Sequence, residues 1–63
     1  MITLTRLNGE EMIVNAQQIE SMEAKPDTRV TLMNGKQLYV RESPEEVVQR
    51  VRAWLAGLRR GGE

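Results

Sequence analysis

Residues Thr28 to Val40 read TRVTLMNGKQLYV, and this stretch admits very few folds. β-branched and large apolar residues flank Asn34-Gly35 on both sides, which is the pattern of a β-hairpin. Turn length then decides the faces. A two-residue turn at Asn34-Gly35 sets Val30 opposite Tyr39 and Leu32 opposite Gln37, which scatters the apolar side chains. A three-residue loop, Met33-Asn34-Gly35, sets Val30 opposite Leu38 and Thr28 opposite Val40. Side chains directly opposite share a face. Only the second register gathers Val30, Leu32, Leu38 and Val40 on one side. It calls for a left-handed Gly35 and a bulge.

The same device occurs earlier. Leu7-Asn8-Gly9 is followed by Glu10-Glu11-Met12-Ile13-Val14, as Met33-Asn34-Gly35 is followed by Lys36-Gln37-Leu38-Tyr39-Val40. The three-residue register now opposes Arg6 to Glu10, Leu4 to Met12 and Ile2 to Val14. The apolar face is again single, and one opposed pair is complementary in charge.

Both faces need a cover, and the chain supplies one. Ser43-Pro44-Glu45-Glu46 is a helix start. Ser43 is the N-cap, Pro44 takes the first helical position, and Glu46 closes a capping box. The glutamates suit the positive end of the helix dipole, and Arg59 and Arg60 the other end. Val47, Val48, Val51, Trp54, Leu55 and Leu58 fall in one stripe of about 120°. The surface made by the two hairpins is the natural rest for that stripe. Gly57 costs about 1 kcal/mol against Ala in a helix, so it marks either fraying or a close contact.

The remaining segments are weaker signals. Asn15 can bond the backbone two residues on and open a short helical turn. Ile19 to Ala24 reads as a third strand of modest propensity. Ile19 and Met22, three apart, would face different ways, with Met22 free to cap the core or meet another chain. Lys25-Pro26-Asp27 is a turn, with Pro26 at its second position. The expected fold is therefore α+β: a small antiparallel sheet of about five short strands, built on two Asn-Gly hairpins and packed by one C-terminal amphipathic helix. Open sheet and barrel-like closure are both compatible. One domain covers 1–60, and 61–63 reads as a flexible tail.

Composition narrows function. The chain has 63 residues, no Cys and no His. That excludes a disulfide framework and removes the usual general base and commonest zinc ligand. A chain this small is marginal alone, which favours help from a partner or a second copy. Nine basic residues balance nine acidic ones, whereas nucleic-acid binders show a basic excess. No basic segment precedes an apolar run at the start, and no apolar run is long enough to span a membrane. We therefore expect a cytoplasmic protein without membrane insertion.

No residue set demands catalysis. Ser43 lacks a base and is accounted for as a cap. The pairs Glu10-Glu11 and Glu45-Glu46 suit solubility, and a domain this small has little room for a substrate pocket. No catalytic, cofactor-binding or metal-binding residues are expected. What remains is the exterior. The register turns Tyr39 away from Leu38 and Val40, with Arg29, Thr31 and Ile13 on the same outer side. Outward Tyr39 and Ile13 would form a modest apolar patch. Trp54, the single Trp, lies at the stripe's edge, either in the core or at an interface. Candidate partner contacts are Ile13, Arg29, Tyr39, Arg41 and Trp54.

Read together, these features resemble the FlbD/SwrD family of small bacterial flagellar proteins. The resemblance is carried by Leu7-Asn8-Gly9, Asn15, Ile19-Glu20, Pro26-Asp27-Thr28, Leu32, Asn34-Gly35, Val40, Glu42-Ser43 and Glu45-Glu46-Val47, in that order. Each piece alone is weak, and the set is specific. The resemblance implies a non-enzymatic accessory factor of flagellar or swarming motility that works by protein–protein contact. Members of the swarming type are linked to the power of the flagellar motor, through its stator units. The implied partner is a flagellar or motor-associated protein, and the implied place is the cytoplasm near the flagellar base. A homodimer through an open sheet edge is compatible with it. The competing reading is a small nucleic-acid-binding regulator of flagellar genes. It requires Arg29, Arg41, Arg50 and Arg52 to gather on one surface beside an exposed aromatic.

Overall fold

The computed structural model describes residues 1–61, the last three by their backbone. Five strands and one helix follow in order: β1 (Ile2–Thr5), β2 (Glu11–Val14), β3 (Ile19–Ala24), β4 (Thr28–Leu32), β5 (Gln37–Val40) and α1 (Pro44–Gly61). A 3-10 turn, Ala16–Gln18, separates β2 from β3. Of the tail expected at 61–63, Gly61 is the last helical residue. Residues 62 and 63 lie outside the described residues.

Both hairpins take the three-residue register. Ile2 opposes Val14 and Leu4 opposes Met12, while Val30 opposes Leu38 and Thr28 opposes Val40. Each loop is closed in the same way. The Arg6 amide donates to the Glu10 carbonyl and the Gly9 amide to the Arg6 carbonyl. The Leu32 amide donates to the Lys36 carbonyl and the Gly35 amide to the Leu32 carbonyl. Gly9 and Gly35 have φ of +94° and +89°, where a side chain would be strained. Asn8 and Asn34 brace the loops by accepting from the amides of Glu10 and Lys36.

β3 pairs with β4, and a bulge re-phases it. Ile19 opposes Leu32, Glu20 is extra, and Ser21 opposes Thr31. Ile19 and Met22 therefore both face inward and pack on the core, although an unbroken strand would part them. The link Lys25-Pro26-Asp27 contains a cis Lys25–Pro26 peptide, a geometry the sequence did not disclose.

The strands form two sheets, β1-β2 and β3-β4-β5, and neither closes into a barrel. They meet at a single bridge between Arg6 and Val40, where the Arg41 amide donates to the Thr5 carbonyl. The Met33 amide, just past β4, donates to the carbonyl of Gln18 at the end of the 3-10 turn and so prolongs the β3–β4 pairing. Ile2, Leu4, Val14, Ala16, Val30, Val40 and Val47 form the buried core. Met12, Ile19, Met22, Leu32, Leu38, Val51 and Trp54 pack around it. Every apolar position assigned to the inner face by the hairpin register is in one of these two sets.

The helix starts as its sequence dictates. The Ser43 hydroxyl accepts from the Glu46 amide at 3.2 Å, and the Glu46 carboxylate reaches back to the Ser43 amide at 3.5 Å. Its apolar stripe is covered only in part. Val47 is fully buried, and Val51 and Trp54 are half-buried, but Val48, Leu55 and Leu58 are exposed. Val48 stands at the edge of the stripe, and for Leu55 and Leu58 the reason is length. Eighteen helical residues extend about 27 Å, whereas strands of four to six residues extend roughly 13–20 Å. The C-terminal half of α1 overhangs the sheets.

Gly57 lies in that overhang, and an added Cβ would meet nothing within 4 Å. It makes no close contact, so its cost is purely conformational. Gly57→Ala is expected to stabilise the domain by up to about 1 kcal/mol, read as a raised midpoint in urea. A lowered midpoint would show that the glycine serves a contact.

Candidate interaction surface

The outward sheet positions form the surface on which the candidate residues can be judged. On β4 and β5, Arg29 stands directly opposite Tyr39. Arg29 also faces Glu23 of β3, and its guanidinium pairs with the Glu23 carboxylate at 2.8 Å. Glu23, Lys25, Asp27, Arg29 and Tyr39 line a dimple of about 70 Å³. Tyr39 is 49% exposed, and the core is filled without it. Two strand-borne side chains, an aromatic ring and a guanidinium braced by a carboxylate, therefore stand side by side at the surface.

Ile13 is 74% exposed on β2, opposite Thr3. It is not beside Tyr39. Ile13 is carried by the β1-β2 sheet and Tyr39 by the β3-β4-β5 sheet, and the bridge that joins the sheets pairs Val40 with Arg6, three residues from Thr3. The joint Ile13–Tyr39 patch that the register suggested is thus two separate exposures. The split between the sheets causes this, because a shared face is not a shared position.

Arg41 is turned to the first hairpin loop. Its Nε and Nη2 donate to the Leu7 carbonyl at 3.1 and 2.9 Å, and its guanidinium covers Gly9. Trp54 lies half-buried on the helix flank. With Met1, Ile2, Thr3, Thr5, Glu11 and Arg50 it lines an open groove of about 490 Å³. The structure thus brings Arg29 and Tyr39 together, ties Arg41 to the Leu7 carbonyl, and carries Ile13 and Trp54 on β2 and α1.

A second groove, of about 300 Å³, opens between the hairpins over Met12, Leu32 and Leu38, with Arg6 and Lys36 on its rim.

One residue that sequence reasoning passed over ties the molecule together. Glu42 precedes the helix cap and is buried. One carboxylate oxygen accepts from the Thr5 amide at 2.8 Å, and the other pairs with Arg50 at 3.0 Å. Arg50 also donates to the Thr3 carbonyl. The two side chains thereby satisfy the edge of β1 that β2 does not reach. Burial pushes the Glu42 carboxyl up. Hydrogen bonds from the backbone and side chain of Thr5 and from its own amide, with the Arg50 charge, outweigh that and hold it below the usual carboxylate value. No local pattern marks this role, since Thr5 and Glu42 are 37 positions apart.

The clamp bears on the arginine surface that nucleic-acid binding requires. Arg29 is engaged with Glu23, Arg41 with the Leu7 carbonyl and Arg50 with Glu42. Three of the four guanidiniums are thus occupied within the chain, at different places.

Among the described residues, no cluster of three or more His, Cys, Asp or Glu side chains could hold a metal ion. No helix among the described residues is long and apolar enough to cross a membrane. No curated protein and no solved structure matches the chain. A family model does match, over residues 1–58, and its description is "FlbD: Flagellar and Swarming motility proteins".

Proposed function

The chain belongs to the FlbD family of flagellar and swarming motility proteins, and from that premise we propose that it is a non-enzymatic cytoplasmic accessory factor acting by protein–protein contact. Its partner in this reading is a component of the flagellar motor, with the stator units the first candidates. The observation that carries the reading is Tyr39. It is large, half-exposed and held on a strand, and the core has no use for it. Tyr and Arg are enriched where protein interfaces bury their centres, and a Tyr ring, with only two side-chain torsions, loses little entropy on docking. Arg29, aligned by Glu23, supplies a directed charge beside it. Ile13, Arg41 and Trp54 belong to the rim of this account or to separate contacts.

Chemical cross-linking in motile cells tests the proposal. Wild-type protein is expected to capture a flagellar motor component, and Tyr39→Ala to lose that capture while keeping its circular dichroism spectrum and urea midpoint. Equal capture by both would remove Tyr39 from the interface. A protein that instead captured RNA or DNA in a salt-dependent manner would favour the gene-regulatory reading.

A further inference from the structure

Beside its core-facing row, α1 presents a second apolar line that runs from the sheet-bearing half into the overhang. Val48, Val51, Leu55 and Leu58 follow one another at intervals of three, four and three, which is the a/d spacing of a helix-pairing seam. Val47 and Trp54, seven apart, are the residues that point to the core. The seam therefore runs alongside the core-facing row, and Val51 is common to both. Val48, Leu55 and Leu58 are 37%, 44% and 50% exposed. Among the described side chains, the exposed large apolar residues of α1 all lie on this one line.

We propose that this seam is covered by the same seam of a second copy, with the two helices antiparallel. Charge selects both the occupant and the direction. The helix opens on Glu45 and Glu46 and closes in sequence on Arg59 and Arg60. Glu45, Arg52 and Arg59 recur every seven residues along one edge of the seam. In an antiparallel pair, position 48 lies against 58 of the other copy and 51 against 55. Glu45 of each copy then lies at the level of Arg59 of the other, and the two helix dipoles oppose. Glu45 is exposed and has no ion-pair partner among the described residues. A parallel pair would place acidic end on acidic end and basic end on basic end, with Val47 and Trp54 as the only counterparts across the seam edge.

Antiparallel pairing also answers the length mismatch. The free half of each helix lies along the sheet-bearing half of its mate, so each overhang is covered. The arrangement has one unfavourable element. The two Arg52 side chains meet near the two-fold axis, and like charges there oppose association. With only two heptads of seam, association is weak and shows at high protein concentration.

Sedimentation equilibrium on the purified full chain, from roughly 10 to 1,000 µM at low salt, tests this. Wild type is expected to move from monomer towards twice the monomer mass across that range. Leu55→Asp should weaken association at least tenfold while leaving the circular dichroism spectrum unchanged, because Leu55 is outside the core. Arg52→Ala should tighten it. Glu45→Arg should weaken it, and Glu45→Arg combined with Arg59→Glu should restore it. A monomer at every concentration overturns the proposal, as does a dimer indifferent to Leu55→Asp. A dimer lost with Leu55→Asp but unmoved by the charge exchange overturns the antiparallel arrangement.

Discussion

Leu4→Ala is expected to cost about 2–5 kcal/mol, a range set by truncation of buried leucines and the cavity left behind. Leu4 is fully buried, lies opposite Met12, and sits two residues from the bridge that joins the sheets. β1 also contacts the helix. One side chain thus serves both sheets and their cover. A domain of this size holds roughly 3–9 kcal/mol in total, so the variant should be largely or wholly unfolded at modest denaturant. The control is nine positions away. Ile13 is carried by the partner strand of the same hairpin but faces out, and Ile13→Ala should change stability by about 0.5 kcal/mol or less. Urea unfolding of the two variants reads the difference. Equal losses would mean that the hairpin does not turn one apolar side inward.

Glu42→Ala is the second large effect, at about 2 kcal/mol. The cost comes chiefly from the Thr5 amide, which is left without its acceptor at the junction of strand and helix. Losing the Arg50 contact adds less, because the Arg50 side chain is substantially exposed and water can replace its partner. Glu42→Gln keeps an acceptor for Thr5 and should cost less. The two variants also separate by pH. The folded Glu42 carboxyl lies below its unfolded value, so its contribution is fully present above about pH 4.3 and is lost as pH falls through the folded value. In that window the unfolded state binds more protons, and stability rises with pH. Wild type should therefore lose stability more steeply than Glu42→Gln as pH is lowered below about 4.5. Parallel curves would show that the carboxylate carries no net stabilisation.

These two residues also mark how far the sequence could be read. Leu4 belongs to a pattern of period two that meets an Asn-Gly loop, and the demand for a single apolar face selects one register. The inner face and the helix cap were legible for the same reason, since each depends on neighbours within a few positions. Glu42 depends on Thr5 and Arg50 through the folded chain, and nothing near it announces that. The extra residue at Glu20 was hidden because a bulge changes phase without changing composition, so Ile19 and Met22 seemed to diverge. The overhang was hidden because an apolar stripe says which side of a helix is greasy and not how long the opposing sheet is.

At the surface, the register placed Tyr39, Arg29 and Ile13 on the outer face. Their grouping was beyond it, because the distance between Ile13 and Tyr39 depends on where the two sheets touch. Arg50 and Arg41, which the nucleic-acid reading needs on one surface, are occupied in the structure by Glu42 and by the Leu7 carbonyl.

The swarming of cells that carry Tyr39→Ala in place of the native protein is the most direct measurement. With the variant present at wild-type level and folded, expansion across soft agar should fall to that of cells lacking the protein. Expansion at the wild-type rate would mean that the ring on the outer sheet face has no part in motility, and the docking account would fail.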